Sequence, residues 1–218
     1  MKKKIGLVIA GSKGIGKSIF NNLSKLKNYN IYKTNSKILD TSNLSQVKKF
    51  VKKNKTFDIL VLNTGGPPAK NFFNISEREF MKYHLQLFYS FIYLIQKINI
   101  KKGGYVFLIS SSILKEPPVN MVLSNSYRTA LLSVFKTFSK LKAMKNISCI
   151  SIAPGAIKTN RIKKLVKNLK QFQKQLPSQK LGNPKEIGKF VKFIVENKIK
   201  YLNGSHIHFD GGISNFIF

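Results

Sequence analysis

The sequence predicts a three-layer α/β fold, with helices on both faces of a doubly wound parallel sheet of about seven strands. Three observations predict this fold class. Short strand-like runs alternate along the chain with longer helical patterns, which is typical of a parallel sheet. The runs are apolar throughout, as expected where both faces of a sheet are buried, and a glycine-rich turn joins the first run to the first helix. The length of 218 residues suits a single domain, so we expect one domain over residues 1–218.

The predicted strands and helices follow one another in order. Strands are predicted at residues 5–10, 30–34, 58–62, 105–110, 147–153 and 206–209, which are short and apolar or β-branched. Helices are predicted at residues 16–26, 44–53, 77–98, 124–145 and 184–196, where apolar residues recur at helical spacing. Residues 161–181 are polar and very basic, and we expect a mobile flap or helical insert there. Such a segment belongs near the carboxyl edge of the sheet, where α/β proteins bind ligands.

The formal net charge of +31 has two interpretations. It is typical of proteins that bind nucleic acid or membrane surfaces, but it also arises from composition bias in an AT-rich genome. Three of the 39 basic residues are arginine (Arg78, Arg128 and Arg161), which leaves 36 lysines spread along the chain. Phosphate recognition favours the arginine fork, so we favour composition bias and expect no nucleic-acid partner. The positive field would still attract anionic substrates and cofactors.

Several classes of protein and site are not expected. The richest apolar run, residues 88–95, is too short to cross a membrane. We interpret the apolar run after the first lysines as a core strand rather than a signal peptide, because it leads into the glycine turn. The single cysteine, Cys149, cannot form an internal disulfide and suits a cytoplasmic location. With three histidines and one cysteine, a metal site of the zinc type is not expected.

The glycine-rich turn is the first candidate binding element. Residues 11–16 read Gly-Ser-Lys-Gly-Ile-Gly between a strand and a helix, where backbone N–H groups approach a pyrophosphate. With Lys17 and Ser18 the same string also satisfies the pattern of a P-loop. A P-loop protein would also need an acidic residue at the end of a strand to hold Mg²⁺. Here the buried strand leads into Asn63, and acidic residues are scarce, which favours the dinucleotide interpretation.

The ordered motifs of the chain resemble the short-chain dehydrogenase/reductase superfamily from end to end. They are Ser12–Gly16, Leu39-Asp40-Thr41, Asn63-Thr64-Gly65-Gly66, Ile109-Ser110-Ser111, Pro154–Thr159, Leu202-Asn203-Gly204 and Asp210-Gly211-Gly212. Each motif is weak alone, and the ordered set is specific. The resemblance implies a Rossmann-like fold, a nicotinamide cofactor and a homo-oligomer, either a dimer or a tetramer. It also implies a small-molecule or acyl-thioester substrate.

The resemblance implies a set of cofactor-binding residues, in which Asp40 and Thr41 lie by the adenine and Ile157 and Thr159 by the nicotinamide. The full set is Gly11, Ser12, Lys13, Gly14, Ile15, Gly16, Lys33, Asp40, Thr41, Asn63, Gly65, Arg128, Pro154, Gly155, Ile157 and Thr159. Two departures from the family pattern stand out. Ala10 occupies the place of the usual first glycine, and the usual helix between the second and third strands of the family is missing.

The choice of cofactor has a physical basis. NAD-binding sites place a carboxylate on the ribose at the end of the second strand. Residues 32–36 contain no acidic side chain, whereas Lys13 and Lys33 would suit a 2′-phosphate. We therefore predict NADP(H), with NAD(H) as the alternative.

The catalytic positions depart most from the family. The usual machinery is a serine, a tyrosine thirteen residues later and a lysine four residues after that. Ser111 fits the serine, but Ser124 stands at the tyrosine position and Arg128 at the lysine position. Arg128 keeps the charge and could bind the ribose, but it is a poor proton shuttle.

Tyr127 gives a second register, in which it is the catalytic tyrosine. This register puts Leu131 at the lysine position and Leu114 at the serine position, so it fits less well. Tyr127 either turns its hydroxyl into the site or packs against the sheet or a neighbouring subunit. The accessory asparagine of the family corresponds to Leu87.

The sequence thus predicts an NADP(H)-dependent oxidoreductase of a carbonyl/alcohol pair, with 3-oxoacyl-carrier-protein reduction as the reaction implied by resemblance. The alternative is a catalytically degenerate NADP(H)-binding sensor or scaffold. Nucleic-acid binding through the positive charge is the third hypothesis.

Overall fold

A computed structural model describes residues 2–217; Met1 and Phe218 of the predicted domain lie outside the described residues. Its strands are β1 (Lys4–Val8), β2 (Tyr29–Lys33), β3 (Thr56–Leu62), β4 (Asn99–Ile109), β5 (Ser148–Pro154) and β6 (His206–Phe209). Its α-helices are α1 (Gly14–Leu23), α2 (Leu44–Lys53), α3 (Glu77–His84), α4 (Ser90–Lys97), α5 (Val122–Ala143), α6 (Asn160–Leu165), α7 (Leu169–Lys174) and α8 (Pro184–Glu196).

The strands form one parallel sheet in the order β2-β1-β3-β4-β5-β6, which confirms the predicted fold class. The sheet has six strands rather than the predicted number of about seven. In the common doubly wound order a further strand lies outside the second one. Here only residues 34–43 separate β2 from α2, whereas a parallel crossover alone takes roughly a dozen residues. The connection therefore turns directly into α2, and β2 is left at the edge.

Both faces of the sheet are covered, so the layers are three. In β3, Ile59 and Val61 pack in the cluster formed with α1 and α8, while Leu60 and Leu62 pack in the cluster formed with α2, α4 and α5. Because successive side chains of this strand enter opposite clusters, residues 57–62 are all buried. This explains why the strands read as unbroken apolar runs.

The predicted helices are present, and one of them is interrupted. The bounds of α2 and α8 are those predicted, whereas α1 and α5 begin and end two or three residues earlier than predicted. The predicted helix of residues 77–98 consists of α3, a π-helical turn (Leu85–Tyr89) and α4. Residues 161–181, predicted to be a flap or helical insert, contain most of α6 and all of α7. Within residues 2–217, no helix combines the length and the apolar character needed to cross a bilayer.

The topology places a binding cleft at one position. β2 lies on one side of β1, and the remaining strands lie on the other side. The direction of winding therefore reverses between β1 and β3. Ligands of doubly wound proteins bind at the carboxyl ends of the strands at such a point. The residues that follow β1, β3, β4 and β5 meet at this edge.

Candidate cofactor cleft and active site

The turn between β1 and α1 is held against its neighbours by close contacts. The Gly11 N–H donates to the Thr34 carbonyl at 2.9 Å. Gly14, the first residue of α1, has a φ of +54°, in the left-handed region that favours glycine. A Cβ on Gly16 would lie 2.6 Å from Nδ2 of Asn63, so no side chain fits there. The amino end of α1 therefore offers free N–H groups at a turn that can approach a pyrophosphate closely.

Thr34 and Asn63 brace this turn from its two sides. The Thr34 hydroxyl accepts from the Ala10 N–H at 3.1 Å, and the Thr34 carbonyl accepts from the Ser12 hydroxyl at 3.3 Å. Asn63 donates through Nδ2 to the Ala10 carbonyl at 3.3 Å. Ile15 is half-buried against the cluster of α1 and α8. The Asn63 side chain thus contacts the backbone of the turn, and Thr34 is a supporting residue that sequence reasoning missed.

A cleft of about 300 Å³ opens beside the turn, between the ends of β1 and β3. Asp40, Thr41 and Gly65, all predicted at the cofactor, line it together with Thr64. The Thr41 and Thr64 hydroxyls lie 3.1 Å apart. The Asp40 carboxylate accepts from the N–H and hydroxyl of Ser42, at 2.9 and 2.8 Å. The predicted adenine-side residues are therefore brought together in one polar cleft.

Two cleft residues, Lys82 and Gln86, were not predicted. Gln86 donates through Nε2 to the Gly65 carbonyl at 2.8 Å. It belongs to the π-helical turn, whose extra residue changes which side chains face the sheet. Leu87, at the place of the family's accessory asparagine, is buried in an apolar cluster. The polar side chain at the cleft therefore comes from Gln86, one residue before the family's asparagine position. Regular helical spacing does not indicate this shift of one residue.

The basic residues predicted for a 2′-phosphate flank the open side of the turn. Lys13 is exposed at the residue preceding α1. Lys33 is exposed at the end of β2, and its ammonium lies 4.2 Å from the centre of the Phe20 ring of α1. Both positive charges are accessible to an anionic group bound beside the turn.

The loop that follows β5 covers the turn. Pro154 ends β5, and the Gly155 N–H donates to a carbonyl of β6 at 3.1 Å. Ile157 is buried, and Thr159 precedes α6. The Cγ2 atom of Thr159 would lie 3.4 Å from a Cβ on Gly14. Thr159 of this loop is thus placed next to the phosphate turn.

Three predicted catalytic residues lie on the segments that follow β4. Ser111 directly follows the Ile109-Ser110 end of the strand, and Ser124 is buried in the first turn of α5. Arg128 donates through Nη1 to the Ile109 carbonyl at 3.0 Å and to the Ser110 carbonyl at 3.4 Å. These bonds tie the start of α5 to the strand that carries Ser111.

Tyr127 has a different environment from these three residues. Its hydroxyl donates to the Phe80 carbonyl of α3 at 3.0 Å, and its ring packs edge-on against His84 at 5.6 Å. Burial raises the pKa of Tyr127, which makes the phenol a weaker acid. In this structure Tyr127 packs against α3, which is neither the active site nor the sheet named in its two predicted environments.

Arg161 reaches the loop after β3, next to the cleft residue Gly65. It begins the segment predicted near this edge of the sheet, but it is not among the predicted site residues. From α6 it donates through Nη1 to the Gly66 carbonyl at 2.8 Å and through Nη2 to the Pro67 carbonyl at 2.6 Å. Burial lowers the pKa of Arg161. Burial, with a contribution from the charge of Arg161, lowers the pKa of Arg128 to about 10, so Arg128 is cationic at neutral pH.

Comparison with known proteins agrees with this geometry. The profile of a family described as Enoyl-(Acyl carrier protein) reductase matches residues 30–214. The 3-oxoacyl-[acyl-carrier-protein] reductase FabG of Buchnera aphidicola subsp. Baizongia pistaciae is 28% identical, over 97% of this chain and 97% of its own. A short chain dehydrogenase family protein from Francisella tularensis has a TM-score of 0.87 and 23% identity, over 97% and 98% of the two chains. A short chain dehydrogenase from Burkholderia cenocepacia J2315, solved with NADP, has a TM-score of 0.84 and 19% identity, over 98% of each chain.

Proposed function

The chain belongs to the short-chain dehydrogenase/reductase family, and from that premise we propose that it is an NADP(H)-dependent oxidoreductase of a carbonyl/alcohol pair. One observation carries the proposal. A glycine turn with no room for a side chain at Gly16 lies directly beside a polar cleft that contains Asp40 and Thr41. Together they suit the pyrophosphate and adenosine parts of a dinucleotide. We take residues 1–218 as one cofactor-binding domain.

The preference for NADP(H) rests on charge. Lys13 and Lys33 are exposed beside the turn, and residues 32–36 contain no carboxylate to repel a 2′-phosphate. The Burkholderia relative was solved in complex with NADP, which supports the same choice. In the proposed complex, the N–H groups at the start of α1 bind the pyrophosphate, and the loop from Pro154 to Thr159 covers the nicotinamide side.

The proposed chemistry needs a hydride and a proton. Bound NADP(H) supplies the hydride to the carbonyl carbon, and the protein must provide a proton for the carbonyl oxygen. Ser111 would donate a hydrogen bond to that oxygen, and Arg128 would hold the nicotinamide ribose and stabilise the negative charge that develops. The proton would come from Ser124 or from a water that it orders, because arginine is a poor proton donor.

The substrate proposal follows the relatives. The Buchnera relative is named as a 3-oxoacyl-carrier-protein reductase. The first substrates to test are therefore 3-oxoacyl thioesters, followed by small ketones. We also propose a homo-oligomer and a cytoplasmic enzyme.

A degenerate cofactor-binding protein is the second candidate, and one observation favours it. Ser124 and Arg128 replace the tyrosine and lysine of the family, and the Tyr127 hydroxyl is bonded to α3. Such a protein would bind NADPH and reduce no carbonyl compound.

Titration with NADPH and NADH by fluorescence, followed by turnover on 3-oxoacyl thioesters and ketones, tests the proposal. We expect tighter binding of NADPH than of NADH, and turnover that Ser111→Ala lowers by about 100-fold. Ser126→Ala is the matched control, because its exposed hydroxyl only donates to the Val122 carbonyl of its own helix. Binding without turnover would favour the degenerate protein, and absence of binding to either cofactor would refute the proposal.

A further inference from the structure

The three arginines of this chain are unevenly distributed. Lysine outnumbers arginine by 36 to 3, so the composition strongly favours lysine wherever a positive charge alone suffices. Arg78 is exposed on α3, but Arg128 and Arg161 both contact backbone carbonyls at the carboxyl edge of the sheet, after β4 and β3 respectively. A guanidinium differs from an ammonium in its planar fork, which binds a carboxylate or phosphate through two parallel hydrogen bonds. Two guanidinium groups at this edge of the sheet therefore indicate a requirement for paired hydrogen bonds that lysine does not meet.

The backbone positions both forks and leaves donors free. Arg128 uses only Nη1, toward the carbonyls at the end of β4, and Arg161 uses one bond from each of Nη1 and Nη2, toward the turn after β3. Because β3 and β4 are adjacent strands, the two anchoring points are neighbours at the carboxyl edge. A guanidinium has five N–H donors, so each side chain retains about three. In Arg128 these are enough for one bond to the nicotinamide ribose and two to an anion of the substrate.

The positive charges of this pair are not balanced by the protein. Among residues 2–217, the ion pairs join lysines or a histidine to carboxylates, and none includes Arg128 or Arg161. Each arginine is partly buried, and the charge of Arg161 acts unfavourably on Arg128. Two like charges held together away from bulk water destabilise the empty site, and a bound anion offsets this effect.

We propose that Arg128 and Arg161 form a guanidinium clamp for a carboxylate of the substrate, so that the substrate is an oxo acid. In such a compound the carboxylate lies one or two carbons from the carbonyl, which places the carbonyl beside Ser111 when the clamp holds the acid. This inference rests on the proposed oxidoreductase function. It selects a free oxo acid as the carbonyl substrate in place of a 3-oxoacyl thioester, whose carboxyl carbon is bonded to sulfur and carries no charge.

The other anions at the cleft have their own binding positions. The cofactor pyrophosphate is assigned to the amino end of α1, and its 2′-phosphate to Lys13 and Lys33. The phosphate of a carrier-bound thioester lies at the far end of its pantetheine arm, remote from the reacting carbonyl. A carboxylate of the substrate is therefore the anion that fits next to Ser111.

Paired substrates that differ only in charge test the clamp. Wild-type protein should reduce 3-oxobutanoate with a kcat/KM about 10- to 100-fold above that for its neutral ethyl ester. Arg161→Met should remove this preference through a higher KM for the acid, with little change for the ester. Arg161→Lys, which keeps the charge without the fork, should lie between them, and Arg78→Met is the control for removal of an exposed arginine.

Calorimetric titration with malonate gives a readout that does not need turnover. We expect malonate to bind both the free protein and the protein saturated with NADP⁺, and Arg161→Met to abolish binding while thermal unfolding confirms that the variant is folded. Competition between malonate and NADP⁺ would assign the arginines to the cofactor and overturn the clamp. Equal kcat/KM for acid and ester, or malonate binding unchanged in Arg161→Met, would overturn it as well. Failure to bind NADPH would instead refute the proposed function, and the titration of the free protein would still decide the clamp.

Discussion

The phosphate turn and the start of α5 contribute to the same cleft in different ways. The turn acts through its backbone, because its N–H groups, its left-handed Gly14 and the absence of a side chain at Gly16 create the binding surface. The start of α5 acts through side chains, and two of its positions, Ser124 and Arg128, differ from the family pattern. A site made from backbone survives extensive change of sequence, whereas a site made from side chains must be rebuilt when they change.

The lysine-rich composition affects the two regions unequally. The turn has no room for a Cβ at Gly16, so neither lysine nor any other residue with a side chain can replace this glycine, whatever the composition of the rest of the chain. At the catalytic positions, Arg128 occupies the place of the family's lysine, against the direction of the bias. The replacement of lysine by arginine therefore indicates selection for the planar guanidinium group at position 128.

Replacing Arg128 should have the largest effect on activity. Arg128→Met removes the cation next to Ser111, and we expect kcat to fall by about 100-fold or more, because charge developing on the carbonyl oxygen loses its stabilisation. Arg128→Lys, which restores the family's residue, should retain more activity than Arg128→Met. Steady-state kinetics on the best carbonyl substrate measure both, and full activity in Arg128→Met would assign the chemistry elsewhere.

Gly16→Ala should have the next largest effect, and it acts on the backbone region. A Cβ there would meet Asn63 Nδ2 at 2.6 Å, so the turn must move and its N–H groups are displaced. Overpacking of this kind costs about 1–3 kcal/mol, which predicts that NADPH binds about 10- to 100-fold more weakly.

Fluorescence titration measures that loss, and Gly65→Ala is the control for stability. The nearest atom to a Cβ on Gly65 is Nε2 of Gln86 at 3.9 Å, so this variant should unfold at nearly the wild-type temperature. Unchanged NADPH affinity in Gly16→Ala would show that the turn does not hold the cofactor.

The fold and the backbone part of the site could be predicted from the sequence because their signals are local. Apolar runs, helical spacing and the glycines at 11, 14 and 16 lie within short windows, and each constrains the chain directly. The strand count is harder to predict, because the short connection of residues 34–43 indicates that a helix is absent without indicating that the strand beyond it is absent too.

The remaining parts of the site depend on contacts between distant segments. Arg161 reaches carbonyls that lie 95 and 94 residues earlier in the chain, and no spacing rule indicates such a contact. Gln86 faces the cleft because of a π-helical turn, which a regular helical pattern conceals. The sequence is compatible with more than one environment for Tyr127, since its position on α5 alone does not decide which neighbour its hydroxyl meets.

Tyr127→Phe distinguishes a supporting residue from a catalytic one. Its hydroxyl donates to the Phe80 carbonyl at 3.0 Å, so its loss should lower the free energy of unfolding by about 1 kcal/mol. We expect kcat to stay within about twofold of wild type, because the proton is assigned to Ser124 or water. Urea unfolding and steady-state kinetics give the two values, and a large loss of kcat at unchanged stability would restore Tyr127 as the proton donor.

Ala10→Gly should have the smallest effect, and its sign is opposite to that of the other variants. Ala10 replaces the family's first glycine and has a φ of 49°, in the left-handed region where a Cβ is unfavourable by roughly 1–2 kcal/mol. Glycine removes this strain but adds freedom to the unfolded chain, so we expect a net stabilisation of about 0.5–1 kcal/mol. Ala130→Gly, at an exposed position within α5, should instead lower stability by about 1 kcal/mol. Opposite shifts of the two urea midpoints would show that the turn keeps the glycine geometry of the family although the glycine is gone, and equal losses would contradict a left-handed residue at position 10.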